Sequence, residues 1–90
     1  MKLIPFSRFI VNENSMSPAY KSGDHILSFN WASQKIGDAV IFKQKGKAYL
    51  KRIDKIESGK IFISGDNEKE SAKFDPISKN EIVGKVILRY

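Results

Sequence analysis

The sequence has no cysteine and a single histidine, His25. Disulfides, a thiolate nucleophile and a zinc-thiolate centre are therefore excluded, as is metal catalysis by a histidine cluster. No long apolar run is present. Residues 1–11 are apolar in flavour but carry Pro5 and Arg8, and they fall far short of the roughly 18 apolar residues that a membrane span needs. Repeats, low-complexity tracts and flexible linkers are also missing, and no stretch keeps a 3.6-residue apolar period, so amphipathic helices have little to form from.

What remains is a chain of 90 residues, 41% hydrophobic and 29% charged. That is enough apolar material for one modest core, and it predicts a single domain over residues 1–90. Sixteen Lys and Arg against ten Asp and Glu give a formal charge of +6. Such a balance suits nucleic acid, an anionic membrane surface or an acidic partner. The cations are mostly lysines strewn along the chain, however, and not gathered as on a recognition helix, so no nucleic-acid partner is expected. Leu3, Ile4, Phe6 and Phe9 offer a peripheral touch on a membrane, while an N-terminal arm or edge strand over residues 1–10 is the plainer reading.

The segments between turn signals are short and rich in Ile, Val, Phe and Tyr, which predicts a mainly β fold. Gly23-Asp24 launches a strand at His25-Ile26-Leu27-Ser28-Phe29, and Gly37-Asp38 launches Ala39-Val40-Ile41-Phe42. Lys45-Gly46 reads as a hairpin turn into residues 47–56, and Ser58-Gly59 reverses the chain into residues 60–64. A polar loop follows from Gly65-Asp66-Asn67 to about Lys73, then a turn over residues 76–80 and a closing strand over residues 82–88. One helical turn is expected at residues 17–21, with Ser17 as cap and Pro18 at the first helical position. The expected whole is one partly closed barrel of short antiparallel strands.

Ser15-Met16-Ser17-Pro18 is the first segment with a chemical look, because a proline-restricted turn can fix the direction of a serine hydroxyl. A serine in a turn is more often a cap than a nucleophile, and it needs a base. His25 heads a strand and reads as a structural residue. Lysine is the alternative, and it accepts a proton only as a neutral amine, which burial in an apolar site favours over the charged form. Alternation along residues 48–56 puts Tyr49, Lys51, Ile53 and Lys55 on one face and Leu50, Arg52 and Asp54 on the other. Lys51 thus has apolar neighbours, whereas Lys43, Lys45 and Lys47 lie around an exposed turn.

The order of these segments resembles the signal peptidase I family and the catalytic domains of LexA-type self-cleaving repressors, over about residues 11–86. In that family a Ser-Met-x-Pro motif carries the nucleophile. Two Gly-Asp turns with their strands follow, then a Lys-Arg pair with the base, a Gly-Asp-Asn box and a closing strand with glycine. Here these read Ser15-Met16-Ser17-Pro18, Gly23-Asp24, Gly37-Asp38-Ala39-Val40, Lys51-Arg52-Ile53, Gly65-Asp66-Asn67 and Ile82-Val83-Gly84-Lys85-Val86. The resemblance implies a serine endopeptidase with Ser15 as nucleophile and neutral Lys51 as general base, cutting a precursor or leader peptide after small residues. Ser71, six residues after Gly65, would orient the amine, and Met16 and Pro18 would line the substrate cleft. No cofactor is implied, and a cytoplasmic setting is expected, with a membrane-associated one as its variant. Two other readings of the residues are a self-cleaving regulator and a non-catalytic basic β-barrel that binds nucleic acid or protein.

The resemblance departs at two places. Two residues before the nucleophile the family usually has glycine or serine, but here stands Glu13, and a carboxylate does not stabilise an oxyanion. The donors left are the Ser15 backbone N–H and, by adjacency, the Asn14 side chain. Where the family often continues to Asp-Ser-Arg, this chain has Lys73-Phe74-Asp75, so Asp66 must find another partner, such as Arg52 or a loop amide.

Overall fold

The computed structural model describes residues 5–30, 33–67 and 74–90. Seven strands follow one another along them: β1 (Phe6–Ile10), β2 (His25–Phe29), β3 (Ala39–Gln44), β4 (Lys47–Glu57), β5 (Lys60–Ser64), β6 (Ile77–Ser78) and β7 (Ile82–Arg89), with a 3₁₀ turn (Lys79–Glu81) before the last. All pairings are antiparallel, and the strands make one sheet in the order β1-β2-β7-β3-β4-β5-β6. The mainly β expectation holds. The sheet is not a closed barrel: β1 and β6 stand at its two ends and do not pair. Residues 6–10 form an edge strand of the sheet.

Turn chemistry sets the strand starts. Lys45 and Gly46 have φ of 52° and 76°, and Ser58 and Gly59 have 52° and 78°. Two successive positive φ values make the hairpin turns whose twist matches the strands they join. The two Gly-Asp turns are copies of one another. Gly23 and Gly37 sit at φ 95° and 94°, and the aspartate that follows accepts a hydrogen bond at Oδ2 from the N–H three residues earlier, Lys21 to Asp24 and Lys35 to Asp38, each at 2.8 Å. An aspartate held this way fixes the loop before the strand begins.

The sheet carries apolar clusters on both faces, and β3 serves both. Ala39 and Ile41 pack with Val11, Met16, Ile26 and Leu50, while Val40 and Phe42 pack with Ile53, Ile61, Ile63 and Ile77. This is why four consecutive residues of β3 are buried: a central strand covered on both faces needs no polar side. Register shifts between Leu27 and Ser28, Ile41 and Phe42, and Ile53 and Lys55 bend the ladders, as bulges do.

Two local expectations are corrected. Residues 17–21 form no helix: the Tyr20 N–H donates to the Met16 carbonyl at 2.9 Å and the Ser17 N–H to that of Asn14 at 3.1 Å, but the pattern is not propagated, and the Ser17-Pro18 peptide is cis. One closed turn without following bonds does not offset the cost of helix nucleation. Lys55 leaves the face of Lys51, because the register shift after Ile53 breaks the alternation there. Its side chain is exposed, its ammonium 4.7 Å from the centroid of the Phe62 ring.

Candidate active site

Ser15 lies in the loop between β1 and β2, which is pinned from both ends. Before it, the Val11 N–H donates to Asp24 O at 2.9 Å and the Gly23 N–H to Val11 O at 2.7 Å. After it, Met16 is buried to 1% exposure in the apolar cluster of Ile26, Ile41 and Leu50. Buried residues on both sides hold the serine between them, and Ser15 itself is only 2% exposed.

Lys51 projects from the middle of β4, paired with Val40 and flanked on its face by Tyr49 and Ile53. It is 1% exposed, and its Nζ lies 5.5 Å from the centroid of the Phe74 ring, which packs edge-on against Phe42 and Tyr49. The Lys51 Nζ donates to Ser15 Oγ at 2.8 Å. A hydroxyl and an amine removed from water and in direct hydrogen-bond contact are the geometry that a serine nucleophile and its base require.

Glu13 joins the pair. The Ser15 hydroxyl donates to Glu13 Oε1 at 3.2 Å, and Lys51 Nζ lies 3.5 Å from the same oxygen. Its side chain is 47% exposed, so the carboxylate is reached from solvent while the other two groups are not. Sequence reasoning treated Glu13 only as a departure at the oxyanion position. The sequence carried no plain signal for its contacts, since residues 13–15 form a bend and turn beyond the end of β1 and follow no strand alternation.

The loop of Gly65-Asp66-Asn67 braces Ser15. The Asn67 N–H donates to Ser15 O at 2.7 Å, and Asn67 Nδ2 donates to Asn14 O at 3.1 Å. Asp66 finds Arg52 in a two-pronged pair, Nε to Oδ1 at 2.8 Å and Nη2 to Oδ2 at 2.7 Å, while Arg52 Nη1 donates to Gly37 O at 2.8 Å. The hydrogen bonds to Asp66 push the Arg52 guanidinium pKa up from its already high value, so Arg52 is a fixed cation that ties β4 to two loops. The bracing role of Asn67 went unread in the sequence, although its motif did not.

The remaining expected residues are placed as follows. Met16 does not line a cleft: it is a core residue, held there by apolar neighbours on β2, β3 and β4. Pro18 is exposed in the loop between β1 and β2. Asn14 is exposed, and its contacts among the described residues run through its carbonyl. Ser71 lies outside the described residues. His25 is exposed at the start of β2, its ring 5.5 Å from that of Tyr90. Among the described residues no three His, Cys, Asp or Glu gather as metal ligands, and no helix is long and apolar enough to cross a membrane.

A groove of about 430 Å³ is lined by Glu13 but by neither Ser15 nor Lys51. Phe9, Ile10, Val11 and Asn12 line one side, and residues 46–50 the other, over a floor that includes Ile26 and Ile41. Among the described strands, residues 47–50 of β4 pair only with β3, and β1 pairs only with β2. Each therefore turns one backbone edge away from its ladder partner.

The Peptidase S24-like family model matches residues 8–87, and the chain belongs to that family. No curated protein matches the chain.

Proposed function

We propose that the protein is a serine endopeptidase that cuts a precursor or leader peptide after small residues, with Ser15 as nucleophile and Lys51 as general base. The observation that carries this reading is the 2.8 Å contact between the Ser15 hydroxyl and the Lys51 amine, with both groups buried. An extended peptide lies in the groove, and an unpaired edge of β1 or β4 offers it backbone hydrogen bonds. Ser15 Oγ attacks the peptide carbonyl carbon as neutral Lys51 Nζ takes the hydroxyl proton. The Ser15 N–H, which donates to none of the described residues, is the backbone donor for the oxyanion. The resulting Lys51 ammonium then gives its proton to the departing amine, leaving an ester on Ser15. Water, deprotonated by the same Lys51, hydrolyses that ester. A small side chain before the cut bond is what the resemblance to signal peptidases implies.

The test is mass-spectrometric profiling of a peptide library rich in Ala-x-Ala sites, from about pH 6 to about 10. Cuts after small residues should appear with wild type. They should fall by about a thousandfold or more in Ser15→Ala and Lys51→Ala. Cuts that persist in both variants would exclude the dyad.

A further inference from the structure

We infer that Glu13 makes this site select peptides with a cationic side chain, lysine or arginine, flanking the bond to be cut. The inference rests on the peptidase reading and names its substrate class.

The starting point is charge balance. With Lys51 as an ammonium, the Glu13 carboxylate at 3.5 Å is its counter-ion, and the hydrogen bonds run from Lys51 to Ser15 and from Ser15 to Glu13. In this arrangement the hydroxyl proton points at the carboxylate and away from the amine. To act as base, the ammonium must first release a proton to water, and the neutral Nζ then accepts the Ser15 proton as the Oγ–C bond forms. At that moment the re-formed Lys51 ammonium is one cation for two anions, the Glu13 carboxylate, 3.2 Å from the attacking oxygen, and the oxyanion developing on the substrate. A cation brought by the substrate restores neutrality. It pairs with Glu13 beside the ammonium, balances the second negative charge and opposes the repulsion between carboxylate and oxyanion.

The surroundings fit a cation. Both contacts of Glu13 use Oε1, and Oε2 takes no hydrogen bond or ion pair from the described residues. The side chain is half-exposed at the groove rim, so an incoming group reaches it without entering the core. Glu13 is the one acidic residue among those lining the groove, whose walls are otherwise mainly apolar. Of the charged groups nearby, Lys47 lies at the hairpin side with its ammonium over the Tyr49 ring, and Arg52 and Asp66 are paired with each other. Because the carboxylate is one hydrogen bond away from the nucleophile, the substrate side chain that meets it must adjoin the cut bond.

The experiment uses peptides identical except for lysine, norleucine or glutamate at the positions flanking a small-residue cut site. Cleavage efficiency is measured for wild type, Glu13→Gln and Glu13→Lys, and binding of the same peptides is measured on Ser15→Ala, with and without Glu13→Gln. Wild type should favour lysine over norleucine about tenfold, the charge-neutral variant should narrow this to under about twofold, and charge reversal should turn the preference toward glutamate. The Ser15→Ala binding ratio should follow the same pattern. Equal binding and cleavage of the lysine and norleucine peptides by proteins that retain Glu13, or a preference that survives Glu13→Gln, overturns the inference. A Glu13-dependent binding preference without cleavage by wild type keeps the cation subsite and removes the peptidase reading instead.

Discussion

Lys51 is a poor residue for a fold to place in the middle of a strand at 1% exposure. An amine taken out of water destabilises the native state unless its partners compensate, and exchange of buried ionic groups for apolar ones of similar volume is often neutral or favourable. Its partners here are one hydroxyl and a carboxylate that solvent also reaches. Lys51→Met should therefore remove catalysis while leaving the unfolding free energy unchanged or higher by up to about 2 kcal/mol. Urea denaturation checks this, and a loss of several kcal/mol would show that the amine serves the fold. Glu13 differs in kind, because its exposed carboxylate loses little hydration, and its effect belongs to the site's charge and not to its stability.

Among the elements, β7 places the tightest demand on one residue. Gly84 pairs with Ile41, and a Cβ added to it would lie 2.5 Å from Asn30 Oδ1 and 3.0 Å from the Phe29 carbonyl oxygen. Asn30 is itself engaged with Ser28 and Ser7, so the side chain has little freedom to retreat. Gly84→Ala should cost about 1–3 kcal/mol, read as a lower urea midpoint; an unchanged midpoint would mean that β2 and β7 shift apart freely. Much at this scale was legible in the sequence. The paired Gly-Asp turns, the Lys45-Gly46 and Ser58-Gly59 hairpins and the strands they bound are local, each fixed by residues that tolerate positive φ or cap their own loop. The shift after Ile53 was not legible, because a bulge depends on the partner strand and leaves no mark on the alternation of β4 itself. Nor was the loss of the helical turn after Ser17, since cap and proline signals do not say whether later residues extend it.

For the whole molecule, the order β1-β2-β7-β3-β4-β5-β6 puts the last strand between β2 and β3. No local signal encodes that insertion, which depends on contacts between distant segments. The same holds for the site. Ser15 and Lys51 were singled out as candidates by their motifs and order, but their 2.8 Å contact depends on β4 reaching the β1–β2 loop while Asn67 ties down the carbonyl of Ser15. Met16 was misplaced for the same reason: its motif names it, but only the packing of β2, β3 and β4 shows that it faces the core. With β3 shared between the clusters on both faces, the position of the dyad is a property of the entire sheet. The most direct measurement is intact-mass and peptide-mapping spectrometry of the protein quenched in acid while it cuts a small-residue peptide. The expected result is a substrate ester on Ser15 in wild type and none in Ser15→Ala or Lys51→Ala; peptide cut without that ester, or an ester formed at undiminished rate in Lys51→Ala, would contradict the dyad.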